Sequence, residues 1–209
     1  VGFTHSTRRV KSLSAKSWEF DKVFLYELTK QDWETVIRQF QASLTDDVIR
    51  RAVRNMPPQA FQLSGSTLES KLIDRRNSLL KDALRYYEFL AEDVTVTGSD
   101  DAERFEITGN RDSLQVAVFS KINKGQVLYQ RTFTPEDTKS IHLIALGGDD
   151  EVYVARGADA RIQLMIDGGK GNNVVNLQSK IRHKIYHSDM DAKAYEKVVK
   201  EQLKIKEDE

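Results

Sequence analysis

Leu143-Ile144-Ala145-Leu146-Gly147-Gly148-Asp149-Asp150-Glu151-Val152-Tyr153-Val154 is the stretch whose reading decides the fold. Apolar residues alternate on both sides of a Gly/Asp turn, which is the period of a strand with one buried face. The glycines permit positive φ, and the aspartates satisfy turn amides. The pattern recurs upstream as Val94-x-Val96-x-Gly98-Ser99-Asp100-Asp101, followed by Phe105-x-Ile107-x-Gly109. Its fuller form here is Leu143-x-Ala145-x-Gly147-Gly148-Asp149-Asp150, then Val152-x-Val154 and Gly157. A looser third copy reads Ile162-x-Leu164-x-Ile166-Asp167-Gly168-Gly169-Lys170-Gly171-Asn172-Asn173, then Val174-Val175. Stacked strand–turn–strand copies give parallel strands in coils, as in a short β-helix or β-roll. The same strands laid out as a meander close into a sandwich instead, and the pattern suits both.

Between the first two copies, Leu114 to Phe119 and Gln126 to Phe133 flank Asn123-Lys124-Gly125, a hairpin signal. Thr134-Pro135-Glu136-Asp137 predicts a cap and a single helical turn. With Ile141 to Leu146, Glu151 to Ala155, Arg161 to Ile166 and Val174 to Leu177, the back half holds about eight short strands.

The front half has a period of 3.6. Trp33, Val36, Ile37, Phe40 and Leu44 mark a helix over 30–44, with Thr29 as N-cap and Asp32 in its first turn. A second helix follows Thr45 and ends at Asn55-Met56-Pro57-Pro58, because proline cannot continue the ladder. A third opens on a capping box of Ser66 and Glu69 and carries a long stripe from Leu68 through Leu72, Leu79, Ala83 and Tyr87 to Leu90. The expected fold is therefore α+β: a three-helix N-terminal cap and an all-β part, partly repetitive. The expected divisions are an arm or linker over 1–28, a helical subdomain over 29–92, a β domain over 93–187, and a charged terminal helix or linker over 188–209.

Composition narrows the function. The 209 residues carry 32 Lys plus Arg against 32 Asp plus Glu, without the basic excess of a sequence-independent nucleic-acid binder. There is no cysteine, which removes disulfides, thiolate catalysis and cysteine-ligated zinc. No run of about 18 apolar residues exists to span a bilayer as a helix. The chain starts at Val1, and we read it as a piece of a longer polypeptide.

The Gly/Asp turns are the chief candidate site, because calcium favours carboxylate and carbonyl oxygens and Gly-Gly-x-Gly-x-Asp turns of β-rolls bind it. Gly168 to Asn173 matches the glycines but has Asn173 at the acidic place, and Gly147 to Asp150 has the acids but lacks the third glycine. The competing reading makes Asp149, Asp150, Asp167 and Asn172 caps for backbone amides. His183 and His187 are four apart, yet Lys184 stands where a metalloprotease helix needs glutamate, and Ile181 and Ile185 suit an extended segment equally. Arg50-Arg51 and Arg75-Arg76 are candidate phosphate contacts, weighed against pairing with acids such as Asp74 and Asp82. No phosphate loop and no nucleophile elbow is present. No residue is assigned to catalysis, to a cofactor or to a metal.

Several stretches together resemble a known family. They are Ala52-Val53-Arg54-Asn55-Met56-Pro57, Leu72-Ile73-Asp74-Arg75-Arg76-Asn77-Ser78-Leu79-Leu80, Leu128-Tyr129-Gln130-Arg131-Thr132-Phe133, Gly147-Gly148-Asp149-Asp150 and Ile166-Asp167-Gly168-Gly169-Lys170-Gly171-Asn172. They are similar to a soluble region of very large cell-envelope proteins of Gram-negative bacteria. In that family the region precedes a C-terminal surface-antigen-type outer-membrane β-barrel, and some members have an upstream metallophosphoesterase-like domain. The resemblance runs from about Leu28 to Asn173, and its motifs are structural. It implies a periplasmic or outer-membrane-associated location and no assigned activity for the region itself. The expected function is a non-catalytic structural and interaction domain, a spacer contacting neighbouring domains of the same polypeptide, with other envelope proteins or glycan as further candidate partners. The alternatives are a ligand-binding module for glycan or calcium, using the turns with Tyr129 and Tyr153, and an accessory part of a hydrolase whose site lies in another domain.

Overall fold

The computed structural model describes residues 3–7, 14 and 16–186. The terminal helix or linker expected over 188–209 lies outside the described residues, as does His187. The chain divides into two compact units. One is helical and holds Leu28–Leu90 with the described residues up to Asp21; the other holds Lys22–Glu27 and the described residues from Ala91 onward.

The described residues form helices α1 (Trp18–Phe24), α2 (Lys30–Ser43), α3 (Asp46–Arg54) and α4 (Pro58–Ala91). Three of these were expected; α1 falls within the stretch read as an arm. Thr29 and Asp32 cap α2 reciprocally: the Thr29 hydroxyl accepts from the Asp32 amide, and the Asp32 carboxylate accepts from the Thr29 amide at 2.8 Å. Thr45 caps α3 by accepting from the Val48 amide. The third expected helix begins at Pro58 rather than at Ser66. Proline fits a first turn, where its missing N–H would have had no partner, so the chain restarts directly after the break at Pro57. Gly65 continues the helix beneath Phe61, whose ring lies 2.5 Å from where a Cβ would sit. Ser66 and Glu69 are thus interior residues. The 34 residues of α4 span about 51 Å at 1.5 Å each.

Arg76 ties this unit together. Its guanidinium donates to the Leu44 carbonyl at 2.9 Å and pairs with Asp46 at 2.7 Å, joining α4 to the α2–α3 corner. Trp33 packs edge-on against Tyr86, the Tyr86 hydroxyl donates to Asp21 at 2.5 Å, and Ile49, Val53 and Tyr87 are buried.

Among the described residues, nine strands build the second unit: β1 (Asp93–Thr97), β2 (Glu103–Gly109), β3 (Leu114–Ser120), β4 (Val127–Phe133), β5 (Ser140–Ile144), β6 (Glu151–Val154), β7 (Gln163–Asp167), β8 (Val174–Leu177) and β9 (His183–Tyr186). They form two sheets, ordered β1-β5-β7-β9 and β4-β3-β2-β6-β8. Every pairing in the first sheet is parallel, as are β2 with β6 and β6 with β8. Each sequence repeat is therefore one coil, with a strand in each sheet and the Gly/Asp turn between them. This is the β-helix arrangement; a meander would have produced antiparallel neighbours throughout.

The register differs from the alignment that the glycines suggest. Matching Gly98 to Gly147 sets Val94 opposite Leu143, whereas the structure pairs Val94 with Ile141 and Val96 with Leu143. A shift of two residues preserves which side chains face inward, so the apolar alternation could not detect it. In the true register the Val96-to-Phe105, Leu143-to-Val152 and Ile166-to-Val175 separations are all nine residues. Val96, Phe105, Ile107, Val154, Leu164 and Ile166 line the interior at 0% exposure. The β3–β4 hairpin forms as predicted, antiparallel to β2, and extends the second sheet past the first coil. Lys22–Glu27 belong to this unit: Lys22 Nζ donates to the Asp93 carbonyl, Arg131 donates to the Tyr26 carbonyl, and the Tyr26 and Tyr129 rings stack at 5.2 Å.

Candidate functional site

The Gly/Asp turns lie one above another because the coils that carry them are in register. The side chains of Asp149, Asp150, Asp167 and Asn173 point at backbone. Asp149 Oδ1 accepts from the Asn172 amide at 2.8 Å in the next turn, and Asp167 Oδ1 accepts from the Gly169 amide at 3.1 Å. Asp150 Oδ1 accepts from the Glu103 amide at 2.8 Å, one coil back. Asn173 repeats that contact one coil later: its Oδ1 accepts from the Asp150 amide at 2.8 Å. Its Nδ2 donates to the Gly168 carbonyl at 2.5 Å. Glu103, Asp150 and Asn173 thus form a ladder in which each side chain from Asp150 onward holds the backbone of the coil before it. Glu103 turns back on its own turn, accepting from the Ser99 amide at 2.9 Å and from the Ser99 hydroxyl.

The glycines have a steric cause. A Cβ on Gly148 would meet the Asp101 backbone at 2.6 Å, one on Gly169 the Leu146 carbonyl at 2.1 Å, and one on Gly171 the Gly148 carbonyl at 1.8 Å. Gly169 and Gly171 also have φ of 63° and 116°, conformations that side chains disfavour. Leu146 occupies the place equivalent to Gly169 with φ 68°, a left-handed conformation costly for a leucine. Glycine spacing that suggests calcium is here the spacing that lets one turn lie on the next. Among the described residues, no three His, Asp or Glu side chains gather as a group able to hold a metal.

Asp150 is the unusual member of the ladder. It is 1% exposed, and its Oδ2 has no hydrogen-bond partner. Its pKa is pushed up to about 6, chiefly by burial; the Glu103 amide and Lys121 work against this, and the charges of Glu103 and Asp149 work with it.

The other candidates do not converge. Arg75 donates to the Thr4 carbonyl and stacks over Phe3, while Arg76 faces Leu44 and Asp46. Arg50 lies 3.4 Å from both Asp46 and Asp47. His183 is on strand β9 with Nδ1 at 2.9 Å from the Ile181 carbonyl, so the helical reading of that segment gives way to the extended one. Tyr129, one of the two tyrosines of the ligand-binding alternative, is 6% exposed beneath Tyr26, and burial raises its pKa. Tyr153 is half-buried beside the Arg104 guanidinium.

Glu103 and Asn173 were not recognised as partners of Asp150. Their signal was present in the constant spacing: each stands seven residues after an inward residue of its coil, Val96, Leu143 or Ile166. Among the described residues, no helix is long and apolar enough to cross a membrane. No family model, curated protein or solved structure matches the chain.

Proposed function

We propose that the chain is a non-catalytic structural and interaction module, a spacer within a multidomain bacterial envelope protein, placed in the periplasm or at the outer membrane. The envelope setting rests on the sequence resemblance given above. The observation that carries the spacer reading is the use made of the turns. Their acids and amides bind the backbone of neighbouring coils, and their glycines bring those backbones into contact. Such a stack is stabilised by nearest-neighbour interfaces between successive repeats, which suits a rigid element between other domains.

The helical unit supplies the contacts in this reading. Val36 and Phe40, one turn apart on α2, are 61% and 50% exposed, and Leu63 on α4 is 88% exposed. Large apolar side chains left uncovered mark surfaces that meet other protein. The partners are neighbouring domains of the same polypeptide.

A thermal melt in calcium and in chelator tests the spacer reading. Superimposable curves are expected, because Asp149, Asp150 and Asp167 each already accept from a backbone amide and no group of three acids gathers among the described residues. One filled site raises a domain of this size by several degrees, about 2–4 °C per kcal/mol. A rise of that size in calcium would replace the spacer reading with that of a calcium-binding module.

A further inference from the structure

We propose that Asp150 is a proton-dependent latch between coils: its carboxyl, when protonated, donates from Oδ2 to a backbone carbonyl of its own turn and tightens the stack in mild acid. The ladder shows the contact that is missing. Asn173, at the equivalent place in the next coil, uses Oδ1 to accept from the Asp150 amide and Nδ2 to donate to the Gly168 carbonyl. Asp150 reproduces the first half, accepting from the Glu103 amide at 2.8 Å. An ionised carboxylate has no hydrogen with which to make the second, and its Oδ2 is buried without a partner. The carbonyl equivalent to Gly168 in that coil is Ala145. A proton on Oδ2 supplies the donor and completes the pattern that asparagine completes at every pH. Leaving a buried acceptor unsatisfied is costly, so the neutral form gains from the fold what the charged form lacks.

The groups around Asp150 favour the same direction. Glu103, 2% exposed on β2, faces it with a second carboxylate, whose own oxygens are engaged by the Ser99 amide and hydroxyl. Asp149 adds a negative charge from the adjacent position. Lys121, following β3, opposes them, but its Nζ donates to the Asp149 carbonyl at 2.6 Å. From the following coil the facing group is the neutral Asn173. Burial is the largest influence, and together these groups push the carboxyl up to about 6 from the ordinary 3.8.

The linkage has a definite sign. The folded pKa is raised, so the protonated form is bound more tightly by the folded state. This contribution is full below about pH 4 and is lost as pH rises through about 6. Asp150→Asn places a permanent donor at the site. At pH 8 the variant is expected to melt several degrees above the wild type, with the difference closing as pH falls towards 4. A difference that stays constant from pH 4 to 8, or a variant that is less stable throughout, overturns the latch. A second measurement needs no variant: carboxyl carbon NMR of the wild-type chain is expected to show Asp150 titrating near pH 6. A midpoint in the ordinary aspartate range near 4 overturns it.

Discussion

The two units solve the burial problem in opposite ways. In the β unit, interior residues such as Val96, Phe105, Leu164 and Ile166 are entirely enclosed, and side chains of one coil hold the backbone of another. In the helical unit, α2 buries none of its residues, and Val36, Phe40 and Leu63 are mostly exposed. Its cohesion comes from Arg76, from aromatic edges and from a few residues of α3 and α4. One unit is complete as a core. The other leaves large apolar side chains of its helices exposed, and that is the surface the proposed spacer function would use for contact.

The largest test removes the centre of the closed unit. Phe105, at 0% exposure, belongs to the core shared by both sheets. Phe105→Ala is expected to cost about 3–5 kcal/mol in denaturant unfolding. A cost below about 1 kcal/mol would mean the coils are not closed around it. Gly171→Ala puts the same question to the turns. The new methyl meets the Gly148 carbonyl at 1.8 Å in a backbone with φ 116°, and about 2–3 kcal/mol is expected. Calorimetry showing a neutral change would separate the turns from the stack's stability. The smallest effect belongs to the open unit. Leu63→Ser is expected to shift stability of the chain by under about 0.5 kcal/mol. A loss above about 1 kcal/mol would show Leu63 packed and remove the contrast.

What could be read from the residues alone follows the reach of each signal. Strands and helices announced themselves by period, because inward alternation and a helical stripe are properties of neighbours in sequence. The register did not, since Val94 opposite Ile141 and Val94 opposite Leu143 bury the same side chains. The start of α4 was obscured by a locally plausible capping box at Ser66, and Pro58 offered an equally good start further upstream. Short α1 carries Phe20, Val23 and Phe24 at helical spacing, but its seven residues make under two turns and none is buried, too little for a stripe to stand out. The ladder of Glu103, Asp150 and Asn173 combines three residue types, and only the three-dimensional register places them in one column.

The two corners of each coil are unlike in their tolerance of insertions and deletions. Across the Gly/Asp corner the count from inward residue to inward residue is nine in each of three coils. Across the return corner, Ile107 to Ile141, Val154 to Leu164 and Leu177 to His183 span 34, 10 and six residues. A lineage of such chains can therefore lengthen, shorten or decorate itself at the return corner, as the β3–β4 hairpin already does, while every rung downstream keeps its partner. At the other corner, losing a single residue would turn the following strand inside out.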